Sequence, residues 1–198
     1  MKFRDLAAEE IEVRVQSVKK NGIVLLLYKN ARCDMNILDE TVGAENWQRE
    51  HYECKGNLFC RVGIRCDSRT IGRSENVPDT ERITDEWVWK SDCGVESNTE
   101  AQKGEASDSF KRACFNWGIG RELYTSPFIW VPVAKCDIKD SGKKDKFGNP
   151  ILACYDRFEV EKIVIDGKKI TAISIVNMSI QSENIKDRRC FVWQRDAK

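Results

Sequence analysis

The sequence predicts an α+β chain in which antiparallel β-hairpins accompany one long helix and a β-rich C-terminal extension follows. Three observations predict it. Apolar residues recur with helical spacing between Ser97 and Tyr124, strict alternation runs from Leu58 to Cys66, and tight-turn signals join apolar runs at Lys19-Lys20-Asn21-Gly22 and at Asp166-Gly167. A length of 198 residues with 41% hydrophobic residues is enough for one full core and an appended subdomain. The formal net charge is only +1, so an anionic partner has to be met by a local patch rather than by bulk charge.

The N-terminus, MKFRDLAAEEIEV, has no apolar signal core. The longest apolar run, Ile23 to Tyr28, is far shorter than the roughly 20 residues that span a bilayer. The expectation is a soluble, non-exported chain. Asp5 to about Glu12 reads as a short capped helix, and VRVQSV and GIVLLLY as a hairpin. Asn30 to Val42 carries Met35, Leu38 and Val42 at helical spacing and stops at Gly43, after which Trp47 is expected in a short loop as a core plug.

From Leu58 to Cys66, Leu58, Cys60, Val62, Ile64 and Cys66 share one strand face, leaving Phe59, Arg61, Gly63 and Arg65 on the other. Arg61 and Arg65 form either a solvated face or an anion track. Residues 67–85, with Pro78, read as an extended hairpin loop, and the strand EWVWKSD follows it. Trp87 and Trp89 share a side of that strand. Core packing against the long helix is the preferred reading over base stacking, because the strand leads directly into the helix.

The long helix is signed at both ends: Ser97 and Glu100 make a capping box, while Gly118 and Gly120 supply positive-φ stops. Ala106, Phe110, Ala113, Cys114 and Trp117 form its core stripe. Asp108, Lys111, Arg112 and Phe115 fall on or near the opposite side, where two adjacent cations beside a large aromatic point to a partner surface. Beyond it, PFIWVPVAKCDI reads as an edge strand interrupted by Pro127 and Pro132. Residues 139–149 form a Lys-rich hairpin tip, FEVEKIVI and KKITAISIV a hairpin, and CFVWQ the last strand.

Several chemistries lack their residues. Nine cysteines without a CxxC pair, and one histidine, His51, make neither a zinc framework nor a disulfide one, so they read as reduced, small buried groups. There is no GxxxxGK[ST] loop and no GxSxG elbow, and the GIG at 118–120 follows a helix rather than opening one. Asp79, Glu86 and Lys90 are loosely arranged like a Mg²⁺-dependent nuclease core, but the intervening Trp spoils the spacing. A nuclease therefore stays as the alternative, beside a purely structural interaction domain. No cofactor and no metal is called for.

The run KGEASDSFKRACFNWGIGRELY, Lys103 to Tyr124, resembles the signature helix of the Rad fifty-two superfamily of single-strand annealing proteins, closest to its phage and prophage members. The likeness extends back through EWVWKSDCGVES and YKNARCDMNILDETVGAENW, covering about Ile23 to Tyr124. The resemblance implies an annealing core over residues 1–126 with a β-rich extension over 127–198, a sheet packed on the long helix, and subunits assembled into rings or filaments. It implies a basic groove for single-stranded DNA lined by Lys111 and Arg112, with Ser107 one turn before them. Arg32 lies one place from a family groove arginine, and Arg61, Arg65 or Lys90 stand for the basic hairpin residues. Phe115 falls to the neighbouring subunit. The function implied is ATP-independent annealing of complementary strands in phage recombination and repair. The partners implied are a phage exonuclease or a single-strand-binding protein, and the setting is the bacterial host cytoplasm, with no membrane.

Overall fold

The computed structural model describes residues 1–74, 77–95 and 101–195; the side chains of residues 67–85 and 101 lie outside that description, as do the Ser97 and Glu100 capping pair and the Asp79 carboxylate. The fold is α+β, with antiparallel sheets. Two compact units share the chain: Met1–Arg4 with Ala31–Ile119, and Asp5–Asn30 with Gly120–Lys198. Each unit draws on two separate stretches of the chain. The reason is the N-terminal hairpin, β1 (Glu12–Lys19) and β2 (Gly22–Tyr28). An isolated hairpin is marginal in water, and this one is completed by strands from the far end of the chain.

The second unit is built on a six-stranded sheet. Its order is β11 (Arg189–Gln194), β10 (Lys169–Asn177), β9 (Phe158–Asp166), β1, β2 and β6 (Ile129–Pro132). The proline-bounded β6 is an edge strand, as its sequence requires. It approaches β2 so closely that a Cβ on Gly22 would lie 2.4 Å from the Val131 carbonyl oxygen. The β9–β10 turn is one residue later than Asp166-Gly167. Asp166 pairs with Lys169, and the two central residues are Gly167 (φ 54°) and Lys168 (φ 64°), the paired positive φ values of a type I′ turn. Residues 139–149 belong to a two-stranded ribbon, β7 (Lys139–Lys144) and β8 (Pro150–Ala153). The capped helix expected over Asp5–Glu12 is only a 3₁₀ turn, Ala8–Glu10, held by the Glu10 carboxylate accepting from Ala7 N at 2.9 Å. A one-turn helix, α3 (Ile185–Arg188), precedes β11.

The first unit contains α1 (Ala31–Val42), α2 (Ala101–Trp117) and a sheet ordered β3 (Trp47–Cys54), β4 (Asn57–Ser74), β5 (Val77–Cys93). α1 stops at Gly43 (φ 86°) as expected, but it buries Cys33, Ile37 and Leu38, leaving Met35 and Val42 half-buried. Trp47 opens β3 instead of sitting in a loop. Its indole N–H donates to Asp39 Oδ1 at 2.6 Å, and its ring stacks on Phe110 with centroids 6.1 Å apart. Residues 67–74 and 77–85 are paired strand rather than loop: the β4–β5 ladder continues through Thr70↔Arg82 to Ser74↔Val77. Backbone hydrogen bonds hold that ladder without apolar alternation, and Pro78 is tolerated because β5 is an edge.

α2 ends as its glycines dictate. Gly118 has φ 99°, Gly118 N donates to Phe115 O at 2.9 Å, and Ile119 N donates to Cys114 O at 3.1 Å, the paired bonds of a Schellman stop. Residues Arg121–Thr125 then form a separate 3₁₀ turn. Of the expected stripe, Phe110, Ala113 and Cys114 are sealed, while Ala106 and Trp117 are half-buried.

Candidate nucleic-acid interface

The register of the three-stranded sheet sorts every side chain onto one of two faces. Residues directly opposite across an antiparallel ladder share a face, so Val62↔Lys90, Cys60↔Asp92 and Ile64↔Val88 define one, and Gly63↔Trp89, Arg65↔Trp87 and Arg61↔Ser91 define the other. Cys60, Val62 and Ile64 are fully buried. α2 covers their face, with Trp117 Nε1 donating to Val62 O at 3.0 Å and Glu105 Oε1 accepting from Leu58 N at 3.1 Å. At Gly94 the chain passes so near α2 that a Cβ would meet the Glu105 carbonyl oxygen at 2.1 Å. Burial pushes the Cys60 thiol up to about 11, which makes it an inert core group.

This arrangement corrects two expectations. Trp87 and Trp89 do not pack on α2; they lie on the opposite face of the sheet, ring centroids 6.2 Å apart, with Trp87 38% exposed. Sequence parity puts the two indoles together, but only the register with β4 says which face they take. Lys90, counted among the hairpin cations, is on the helix side instead. Its ammonium donates to Asn116 O at 2.9 Å and lies 4.5 Å from the Trp117 ring centroid. A cation against the last carbonyls of a helix complements the negative end of its dipole, and α2 has no basic residue of its own in its last turn. Lys90 is therefore a structural cap.

The uncovered face carries the arginines that alternation assigned to it. Arg61 lies 4.5 Å over the Trp89 ring and also donates through Nη2 to Glu50 Oε2 at 2.6 Å. Trp89 can lie flat there because Gly63 is beneath it: a Cβ would meet the indole at 2.8 Å. Tyr52 and Phe59 stack alongside at 5.5 Å, and Arg65 is exposed. Arginine over indole is a favourable cation–π pair. The result is a platform of two arginines and four aromatic rings on one face of one sheet. Glu50 and Tyr52 come from β3, a strand that its sequence, WQREHYEC, does not announce by alternation of apolar residues.

On α2, Lys111 and Arg112 diverge by the 100° that separates adjacent helical residues. Arg112 leans toward the sheet, where Nε donates to Asp92 Oδ1 at 3.3 Å with 37% of its side chain still exposed. Asp108, one turn before it on the same stripe, accepts from Val95 N at 3.2 Å. Lys111 shares the neighbouring stripe with Ser107; both are half-buried, as is Phe115. Arg32 is exposed on α1. The site residues thus divide between α2 (Ser107, Lys111, Arg112), the far face of the sheet (Arg61, Arg65) and α1 (Arg32). Arg49 went unnoticed in the sequence: from β3 it lies 4.7 Å over the buried ring of Phe110. The single histidine, His51, has Nε2 3.1 Å from Ala106 O. Among the described residues no three His, Cys, Asp or Glu side chains converge as metal ligands.

Residues 3–140 match the Rad52/22 family of double-strand break repair proteins. The chain belongs to this family. No curated protein and no solved structure matches it. The Rad52/22 match contains the whole three-stranded sheet, α1 and α2, and so every site residue named above. It also takes in β1, β2 and β6 of the six-stranded sheet and ends inside β7, leaving β8 to β11 outside.

Proposed function

We propose that this Rad52/22 family member binds single-stranded DNA and anneals complementary strands without nucleotide or metal, acting as a ring or filament in phage recombination within the bacterial host cytoplasm. The observation that carries the reading is the adjacent cation pair Lys111 and Arg112 on α2, inside the family match, with Arg112 still 37% exposed beside Asp92. In this reading Lys111, Arg112 and Ser107 contact the phosphate track, with Arg32 at its margin. Arg61 and Arg65 act from the other face of the sheet, where Trp87 and Trp89 offer rings to bases. Phe115 meets the neighbouring subunit, and an exonuclease or single-strand-binding protein supplies or covers the strands. The nuclease alternative loses support, since the lysine it needs, Lys90, is held at the α2 terminus.

The test is annealing of two labelled complementary oligonucleotides in EDTA without nucleotide, with light scattering on the same sample. Acceleration over the spontaneous rate by an assembly larger than the 22.8 kDa monomer is expected. A monomer that leaves the rate unchanged overturns the reading.

A further inference from the structure

The β7–β8 ribbon ends in a tip that the family match does not reach and the core does not use. Asp145 organises it. Its carboxylate accepts from Phe147 N at 2.8 Å, Asn149 N at 2.9 Å and Asn149 Nδ2 at 3.1 Å, while Asp145 N donates to Asn149 O at 2.9 Å and Gly148 takes φ 85°. These bonds, the Asn149 amide foremost, hold the Asp145 carboxyl below the usual carboxylate range, so the anion is engaged inside the turn. Outside the turn stand Lys143, Lys144 and Lys146, all exposed, with no carboxylate partner among the described residues. Phe147 stands exposed in the same tip. It is 76% exposed, with Lys146 Nζ 5.0 Å from its ring centroid.

A phenyl ring in that position buries little in its own chain, and a turn built by Asp145, Gly148 and Asn149 needs no aromatic residue at all. We infer that this tip is a second contact for single-stranded DNA, in which Phe147 stacks on an unpaired base and Lys143, Lys144 and Lys146 neutralise neighbouring phosphates. The inference rests on the single-strand reading above and extends it to a segment outside the matched residues. Charge complementarity selects an anionic occupant, three lysines to one internally bonded aspartate. The exposed ring selects one with a flat apolar surface to offer, which single-stranded DNA has and a stacked duplex does not. A backbone pinned by the Asp145 bonds presents the ring in a fixed direction, so ordering it on binding costs little.

The experiment measures anisotropy of labelled oligothymidylate and of a duplex across a salt series, for the full chain, Phe147→Ala, the triple variant Lys143→Gln/Lys144→Gln/Lys146→Gln, and Lys111→Ala. Phe147→Ala should weaken single-strand binding by about fivefold to a hundredfold with the salt slope unchanged. The triple variant should flatten that slope by about 0.7 for each phosphate no longer neutralised. Thermal melting should not move in either, because none of the four side chains is buried. Tip variants that bind like the parent while Lys111→Ala loses affinity overturn the tip and leave the annealing reading standing. A parent chain with no single-strand affinity overturns both. Tip variants that lose binding to phosphatidylserine vesicles but keep their DNA affinity assign the tip to a bilayer and overturn the inference.

Discussion

In the six-stranded sheet Glu161, 8% exposed, receives Arg189 Nε at 2.7 Å and Ser174 Oγ at 2.6 Å. In the three-stranded sheet the Arg61–Glu50 pair has both side chains about half exposed, 43% and 53%. The first arrangement ties β9, β10 and β11 together across their widths; the second leaves two charges within reach of water. Exposed ion pairs contribute about 0–1 kcal/mol, whereas a carboxylate that also accepts from a neighbouring hydroxyl and is partly shielded from water is held more firmly. A charge held as loosely as Arg61 can exchange a carboxylate for a phosphate with little loss of fold. One sheet therefore uses its charges for cohesion and the other keeps them available.

The sharpest test of that contrast is Arg189→Ala, which leaves the part-buried Glu161 carboxylate with Ser174 alone. Urea unfolding should show a loss of stability larger than that of any Arg61 or Glu50 variant. A loss no larger than that of Glu50→Gln would place this pair in the same class as Arg61–Glu50. Acid should find the same weakness. The Arg189 and Ser174 hydrogen bonds hold Glu161 down to about 2 from its ordinary 4.5. Its contribution is thus fully present above pH 4.5 and is lost as pH falls from there toward 2. The melting temperature of the parent should fall across that window, and Glu161→Gln, less stable at neutral pH, should show a shallower fall.

Next in size is Gly63→Ala, whose new methyl must push the Trp89 ring off the sheet and away from Arg61. Trp fluorescence should shift, and single-strand affinity should drop if the platform touches bases; an unchanged spectrum would mean that the ring has room the geometry denies it. Glu50→Gln should have the smallest effect. Stability should move by under about 1 kcal/mol, and with Arg61 released, single-strand binding should tighten slightly with a steeper salt slope. Weaker binding would show that Glu50 positions Arg61 rather than competing for it.

What could be read from the sequence was local. Gly43 and Gly118 stop their helices, alternation from Leu58 to Cys66 picks out the buried Cys60, Val62 and Ile64, and β6 is an edge because prolines bound it. What could not be read was set by pairing across the chain. β1 meets β9 at Glu12↔Glu159, a partnership no local pattern encodes, and it decides how the chain divides. β3 and the outer β4–β5 ladder are held by backbone hydrogen bonds and lack an apolar stripe. In the site, alternation placed Arg61 and Arg65 on one face, but Lys90 and Arg112 were exposed cations only until Asn116 and Asp92 came within reach of them.

Whether α2 presents a phosphate track is decided by single-strand affinity across a salt series for Lys111→Ala and for Lys111→Ala/Arg112→Ala. Lys111→Ala leaves the Arg112–Asp92 pair intact, so its effect is not one of folding. Binding should weaken with little sequence dependence, the slope should flatten by about 0.7 for the single variant and about twice that for the double, and the assembly should keep its size. Unchanged affinity and slope in both variants, or dissociation into monomers, would contradict a phosphate track on α2.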